Sequence, residues 1–408
     1  MTALDAATRD PVDRTDAPTP ALPAPDLSDA ALARVTARLA LTAAEHDRTA
    51  AFPWAGIRVV HEAGLLTVGV GVRYGGTPAS AVDVVRVLRA LGEGDPAVAL
   101  IAAMTLAQHA AQDRAPWWPE EVYRAVVARS ATEPQLLNAV RAEPEWGAPA
   151  RGGLPATTVR RDGDGWVLDG RKGFATGAEG LAYHLVWAVD LDGPSGEPEV
   201  AHVVVPGDAA GLRVERTWDH LGQRATGTHD VVYQQVRVPR EHFRGTPVSQ
   251  QTPPEGASSI ALGVPALYVG VARAAQQFVA RFAHERVPTS LGRPIASTER
   301  IQTVVGEIEA QLVQAEEVLL GLAARIDAGD PDAERRTGLA KLIATRSAIS
   351  AVQTAVAALG NPALTRHHPL ERHLRDVLAS RVHPPQDDAA LLAAGRRVLA
   401  EGAPDART

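Results

Sequence analysis

The spacing of apolar residues changes twice along this 408-residue chain. Over residues 27–134 apolar positions recur every three or four residues, over 135–250 they alternate in short runs, and over 251–408 the wider spacing returns. A helix buries one face at the first period, and a half-buried strand does so at the second. These three segments therefore predict an α+β multidomain protein, with an N-terminal α-helical domain, a middle β-barrel or sandwich domain and a C-terminal four-helix bundle.

Glycines mark several expected ends of helices and strands. Asp162-Gly163 and Asp169-Gly170 are predicted turns, because glycine takes a positive φ without a Cβ clash. Gly360-Asn361-Pro362 is predicted to end a long bundle helix. The segment GLLTVGVGVRYGG at 64–76 is predicted to be a loop, and its GxGxxxG spacing after a helical pattern argues against a dinucleotide-binding turn.

Charge and composition favour a small-molecule partner. The formal net charge is −7 and no block of Lys or Arg concentrates positive charge, so neither a nucleic-acid nor a membrane partner is expected. No segment is expected to span a bilayer. A chain without cysteine has no disulfide, iron–sulfur cluster or thiol nucleophile. Residues 1–26 show no secretory signal and are predicted to be a disordered tail, which favours a cytoplasmic protein.

Four motifs occur in a characteristic order. They are GWVLDGRKGFATGAEGLAYHLVWA at 165–188, WDHLGQRATGTHDVVYQQVRVP at 218–239, LGRPIASTERIQ at 291–302 and ERHLRDV at 371–377. Together they resemble the acyl-CoA dehydrogenase superfamily of flavoproteins, and the similarity extends from about residue 27 to residue 400. The resemblance implies a homotetramer, with a flavin held between the β domain and the bundle.

The resemblance also assigns candidate cofactor contacts. Thr176, in the segment GFATG, matches the family residue whose hydroxyl and backbone approach flavin N5, and Phe174 would lie near the ring system. A compact neutral hydroxyl suits a position close to a flavin edge. The predicted cofactor-binding residues are Phe174, Ala175, Thr176, Gly177, Arg286 and Arg375.

The catalytic base of the dehydrogenases is missing from the expected place. A dehydrogenase needs a carboxylate to remove the α proton. In the family a glutamate follows the Arg-Asp pair by about eight residues, and counting from Arg375-Asp376 reaches Pro384. The other family position, at the start of the bundle, falls near Ile260. Neither position holds an acid.

The loop that carries the diphosphate-binding arginine of FAD also departs from the family pattern. The usual spacing is Arg-x-x-Phe-Gly, whereas Arg286 stands six residues before Gly292 and Pro288 occupies an intervening place. FAD and FMN therefore both stay open as the cofactor.

The ending RVHPPQDD at 381–388 resembles the flavin-dependent monooxygenase branch of the superfamily. That branch includes dibenzothiophene monooxygenase and the oxygenase component of p-hydroxyphenylacetate hydroxylase. It implies reduced flavin supplied by a separate flavin reductase, reaction with O₂ and transfer of one oxygen atom, without an α-proton base. Thr176 and His383 would be the catalytic hydroxyl and imidazole, and His109 matches a second histidine on the substrate side.

Other interpretations stay open at this point. A dehydrogenase with a different base, such as Glu255, is one, and a flavin-free interaction scaffold is another. His383 has a purely structural alternative as a cap at its helix end. A metal site is disfavoured, because the spacing of the histidines near His383 fits no standard zinc pattern.

Overall fold

The computed structural model describes residues 22–145, 147, 153–194, 196–250 and 261–401. Its order of helices, sheet and helices confirms the predicted fold class. Ile260, Glu255 and most of the predicted tail lie outside the described residues. Residues 22–26 belong to no helix or strand and pass Gly64, where the Pro23 carbonyl oxygen lies 2.7 Å from the position of an added Cβ.

Five helices form the first domain within the described residues. Three of them begin at a side chain that accepts a backbone N–H: Ser28 from Ala31, Ser80 from Asp83, and Asp95 from both Ala97 and Val98. The predicted loop at 64–76 contains only two short 3₁₀ turns and follows a helix, not a strand. The helices are α1 Asp29–Thr49, α2 Trp54–Glu62, α3 Ala81–Gly94, α4 Pro96–Arg114 and α5 Glu120–Ser130.

The middle of the chain forms one mixed sheet of eight strands within the described residues. The strands are β1 Leu136–Val140, β2 Thr158–Asp162, β3 Gly165–Ala175, β4 Leu181–Asp190, β5 Glu199–Pro206, β6 Leu212–Glu215, β7 His229–Pro239 and β8 Thr246–Pro247. Their order is β6-β7-β3-β2-β4-β5-β8, with β1 beside β4. The pairs β1–β4 and β2–β4 are parallel and the others antiparallel. This arrangement places the C-terminal end of β3 beside the start of β7.

One of the two predicted turns is confirmed and the other is wrong. Gly163, with φ of 61°, lies in the tight connection between β2 and β3. Asp169-Gly170 lies inside β3 instead, where the pairing with β7 shifts register between Leu168 and Gly170. An added Cβ at Gly170 would lie 2.7 Å from Thr157 Cβ, so glycine is required there by a close neighbour and a bulge.

Seven helices follow the sheet within the described residues. The three longest helices, α6, α7 and α9, pack around one apolar core, and the shorter α11 completes the predicted four-helix bundle. Gly360, with φ of 64°, follows the last residue of α9, which confirms the predicted helix end. The helices are α6 Gly263–Glu285, α7 Glu299–Asp327, α8 Pro331–Arg335, α9 Thr337–Leu359, α10 Asn361–Leu364, α11 Leu370–Leu378 and α12 Asp387–Glu401.

Helix α9 corrects the expectation that no segment reaches membrane-spanning length and apolarity. Among the described residues, Thr337–Leu359 passes that test by length and composition alone. Its neighbours explain the composition, because α9 packs against α6, α7 and α11 in the centre of the bundle. A helix surrounded by other helices is apolar on most of its faces, as is a helix surrounded by lipid, because neither faces water.

Helices α3 and α6 approach so closely that glycine is needed on both. An added Cβ at Gly92 would lie 2.1 Å from the Leu267 carbonyl oxygen, and one at Gly270 would lie 2.1 Å from the Arg89 carbonyl oxygen. Real Cβ atoms do not approach so near to backbone. This contact fixes α6 against the first domain, and α6 carries Tyr268 into the centre of the molecule.

Candidate active site

The end of β3 holds a strained aromatic residue. Phe174 has φ of 55°, and its residue surface is 59% exposed. A bulky side chain with a left-handed backbone is uncommon and costs free energy. Its carbonyl oxygen accepts a hydrogen bond from Thr176 N at 3.0 Å, which fixes the turn. Strain and an exposed ring at one residue are typical of a binding surface.

Two more rings extend this surface. His220 lies edge-on to Phe174 with ring centroids 6.4 Å apart, and it stacks on Trp218 with centroids 3.5 Å apart. The indole N–H of Trp218 donates to the Gln223 carbonyl oxygen at 2.9 Å. We call Phe174, Trp218 and His220 the aromatic edge.

Thr176 lies behind the aromatic edge and is buried. Its carbonyl oxygen accepts from Asn138 Nδ2 at 2.9 Å. Its Oγ1 lies 3.2 Å from Thr228 Oγ1, which in turn lies 2.7 Å from Thr226 Oγ1. The neighbouring Gly177 N–H donates to the Thr226 carbonyl oxygen at 2.9 Å. The turn after β3 is thus fastened to the segment that precedes β7.

Gln223 and Asp376 join this segment to α11. Gln223 has φ of 55°, and its backbone N–H donates to Asp376 Oδ1 at 2.7 Å. The side-chain amide of Gln223 is buried, and among the described residues neither its nitrogen nor its oxygen has a hydrogen-bond partner. Burial raises the pKa of Asp376 to about 7, although the Gln223 N–H opposes this.

His383 is held by a buried tyrosine. Its Nε2 lies 2.7 Å from the Tyr268 hydroxyl oxygen. Burial, and then the Lys341 ammonium, lower the pKa of His383 to about 4, so the imidazole is neutral at pH 7. Burial, and then the Asp376 carboxyl, raise the pKa of Tyr268 well above its ordinary range. Tyr268 is therefore a phenol that can donate to Nε2.

Lys341 is the buried cation of this region. Its Nζ has no hydrogen-bond partner among the described residues and lies 4.0 Å from Asp387 Oδ1, at the start of α12. Burial lowers the pKa of Lys341.

The other predicted site residues have different surroundings. His109 is fully buried on α4, where its Nδ1 lies 2.8 Å from the Tyr123 hydroxyl, and burial lowers its pKa to about 4. None of its hydrogen bonds or ring contacts involves Thr176 or His383. Its catalytic role stays a prediction, and these contacts are those of a core histidine.

The two predicted cofactor-binding arginines also lie apart. Arg375 forms ion pairs with Asp47 at 2.6 Å and Glu371 at 2.7 Å, so its guanidinium joins α11 to α1. Arg286 is exposed just after α6, and its backbone carbonyl accepts from Ile295 N–H. No group of three metal-ligating side chains comes together within the described residues.

The sequence did not single out Tyr268, Gln223 or Asp376 as members of this site. A polar side chain in the apolar run GVPALYVGVA was the signal available for Tyr268. Gln223 pairs with a residue 153 positions away, which no local pattern reveals.

The surface suits a planar ring with hydrogen-bonding edges. The aromatic edge, of which Trp218 is half-buried and the other two rings are exposed, provides stacking area. The Thr176 hydroxyl provides a compact neutral donor or acceptor, and the buried Gln223 amide, which has no partner among the described residues, provides both a donor and an acceptor. An isoalloxazine ring carries carbonyl oxygens and ring nitrogens, which could form hydrogen bonds with such groups. The residues present therefore fit a flavin.

Known proteins resemble this chain over nearly its whole length. Family models of the acyl-CoA dehydrogenases match its N-terminal domain at 26–113, its middle domain at 139–236 and its C-terminal domain at 262–386. YdbM of Bacillus subtilis (strain 168), which carries the name of an acyl-CoA dehydrogenase, is 33% identical over 88% of this chain and 93% of its own.

Solved structures show the same architecture. A nitrososynthase from Micromonospora carbonacea var. africana is 25% identical, with a TM-score of 0.77 over 92% of this chain and 98% of its own. KijD3 in complex with FMN and dTDP-3-amino-2,3,6-trideoxy-4-keto-3-methyl-D-glucose is 26% identical, with a TM-score of 0.77 over 93% and 96% of the two chains. The chain therefore belongs to the acyl-CoA dehydrogenase family and is a flavin-dependent oxidoreductase.

Proposed function

We propose that this protein is the oxygenase of a two-component flavin monooxygenase, which uses reduced flavin and O₂ to oxygenate a small organic substrate. The observation that carries the proposal is the neutral imidazole of His383, held at 2.7 Å by Tyr268, next to the position where the dehydrogenases keep an acid. A neutral imidazole with a pKa of about 4 forms hydrogen bonds to oxygen but is a poor base for an α proton, because a general base works best with a pKa near the operating pH.

The solved relatives support this direction. One is a nitrososynthase, and another was solved in complex with FMN and an amino sugar nucleotide. We propose FMN as the cofactor on that ground, with FAD as the alternative, and an amine as one substrate class to test. The departure of the Arg286 loop from the Arg-x-x-Phe-Gly spacing also favours FMN, because FMN lacks the adenylate half that this arginine would serve.

When bound, a reduced flavin supplies two electrons to O₂, so that one oxygen atom enters the substrate and the other leaves as water. The chain's own groups prepare the site for this. Thr176, which is buried, would present its hydroxyl to flavin N5, and the exposed Phe174 would lie near the ring system, as the family resemblance implies. Tyr268 donates to His383 Nε2, which leaves the imidazole proton on Nδ1 for an oxygen acceptor. The buried surroundings of Tyr268 limit the entry of water.

A separate reductase, a homotetrameric assembly and a cytoplasmic location belong to the same proposal. The first test is to purify the protein and titrate it with FMN and FAD. Turnover should then require NADH, a flavin reductase and O₂ together, and ¹⁸O₂ should label the product of an amine or thioether panel. Uptake of neither flavin would instead support the flavin-free scaffold.

A second candidate is an acyl-CoA dehydrogenase that uses Asp376 as its base. Two observations favour it: the name of YdbM, and a buried carboxyl whose pKa of about 7 suits proton abstraction. Anaerobic mixing of the oxidised protein with acyl-CoA thioesters separates the candidates. Bleaching of the flavin that disappears in Asp376→Asn would establish the dehydrogenase, whereas an unbleached flavin excludes it for those thioesters.

A further inference from the structure

Three threonine hydroxyls form a continuous chain behind the site, and each belongs to a buried residue. Thr176 Oγ1 lies 3.2 Å from Thr228 Oγ1, and Thr228 Oγ1 lies 2.7 Å from Thr226 Oγ1. The chain ends at the Gln223 carbonyl oxygen, 2.9 Å from Thr226 Oγ1. We call these three hydroxyls the threonine chain.

Counting protons shows that the chain has two directions. Each hydroxyl has one proton, and the 2.7 Å contact between Thr226 and Thr228 holds a proton between its two oxygens. If Thr226 donates in that contact, Thr228 donates to Thr176, and the Thr176 proton points out of the chain. If Thr228 donates in it, Thr226 donates onward to the Gln223 carbonyl, and the Thr176 hydroxyl must rotate to donate to Thr228, which reverses the Thr228-to-Thr176 direction of the structure. Thr176 then presents a lone pair outward.

The inner end of the chain permits both directions. The Gln223 carbonyl oxygen also accepts from Trp218 Nε1 at 2.9 Å and from the Thr226 backbone N–H at 3.2 Å. It therefore keeps two donors when the Thr226 hydroxyl turns away. No buried acceptor at this end is left without a partner when the chain reverses.

We infer that the threonine chain reverses its hydrogen-bond direction with the redox state of the bound flavin. This inference rests on the proposed function, which places Thr176 at flavin N5. Thr176 donates to N5 of the oxidised flavin, where N5 has a lone pair, and accepts from the N5–H of the reduced flavin. Thr226 and Thr228 are then positioning residues, because they act on the flavin through Thr176.

Removing the inner hydroxyl should favour one direction. Thr226→Val keeps the shape of the side chain but leaves Thr228 with no acceptor when its proton points inward. When the Thr228 proton points outward to Thr176, the variant removes only the donor to the Thr228 oxygen. A buried donor without a partner costs more free energy than a buried lone pair without one. Reduced flavin should therefore bind about tenfold more weakly relative to oxidised flavin, which lowers the two-electron midpoint potential by about 30 mV.

The test compares dissociation constants of FMN and of dithionite-reduced FMN, measured by anaerobic titration of the full-length protein. Thr226→Ser keeps the hydroxyl and should retain the wild-type ratio of the two constants. Thr228→Val interrupts the chain at its middle and should shift the ratio in the same direction as Thr226→Val. Thr345→Val is the matched control, since its buried hydroxyl donates to the Lys341 carbonyl of α9 at 2.8 Å and lies outside the chain.

The outcomes separate the inference from the proposed function. A ratio that shifts in Thr226→Val and Thr228→Val, but not in Thr226→Ser or Thr345→Val, supports the threonine chain. If the wild type binds both flavin states and neither valine variant changes their ratio, the inference is wrong and the flavin site stands. If the wild type binds neither state, the proposed function fails and the inference fails with it.

Discussion

Asp376→Asn should stabilise this protein above pH 7 and have little effect near pH 4. The wild-type carboxyl is buried, with a pKa raised by burial to about 7 from its ordinary 3.8. Because the folded pKa exceeds the unfolded one, the stability linked to this proton is fully present below about pH 4 and is lost as the pH rises through 7. Asparagine keeps the oxygen that accepts from Gln223 N–H, but it never ionises.

The size of the effect follows from the same pKa. Raising it from 3.8 to about 7 places a penalty of about 4 kcal/mol on the folded wild type at pH 8. The penalty falls below about 2 kcal/mol at pH 5. Urea unfolding of both proteins at pH 5 and pH 8 measures the difference, with Asp219→Asn, at an exposed carboxyl, as the control. Equal stability of Asp376→Asn and wild type at both pH values would refute the raised pKa of the buried Asp376 carboxyl.

Three further predictions concern packing, charge and strain. Gly270→Ala should lower the melting temperature sharply, since its Cβ would lie 2.1 Å from a backbone oxygen of α3. Gly306 has open space around it, so Gly306→Ala should leave the melting temperature equal or raise it. Lys172→Met should cost about 3–5 kcal/mol in urea unfolding, because it leaves the buried Glu143 carboxylate without its 2.8 Å partner. Phe174→Asn should preserve or raise the melting temperature, since asparagine tolerates a φ of 55°. The same variant should weaken FMN binding about tenfold in a fluorescence titration. Unchanged affinity would remove Phe174 from the site.

The sequence predicted features that depend on local chemistry. Gly163 and Gly360 could be located because a positive φ at the end of a strand or helix needs glycine. Asp169-Gly170 was misread because glycine is equally suited to a turn and to a bulge beside a close neighbour, and only the register with β7 distinguishes them. The change in apolar spacing was enough to predict the order of helical and sheet domains.

The site itself was only partly predictable. Motifs suggested Thr176 and His383 as site residues, but they did not reveal the partner of His383, which is Tyr268, 115 residues earlier on α6. The threonine chain joins hydroxyls separated by up to 52 residues, and β-sheet pairing brings them together. Contacts of this kind depend on tertiary packing, which periodicity and composition do not encode residue by residue.

The rate of peroxide release from the reduced protein–FMN complex tests the proposed oxygenase most directly, because it needs no knowledge of the substrate. The complex is mixed with O₂, and hydrogen peroxide is followed with a peroxidase-coupled dye, beside free reduced FMN. The wild type should release peroxide at least tenfold more slowly than free reduced FMN, because losing a hydrogen bond in a buried site costs about 1–3 kcal/mol. His383→Ala should remove most of that delay. Equal rates for the wild type, His383→Ala and free reduced FMN would contradict an oxygenase built around His383.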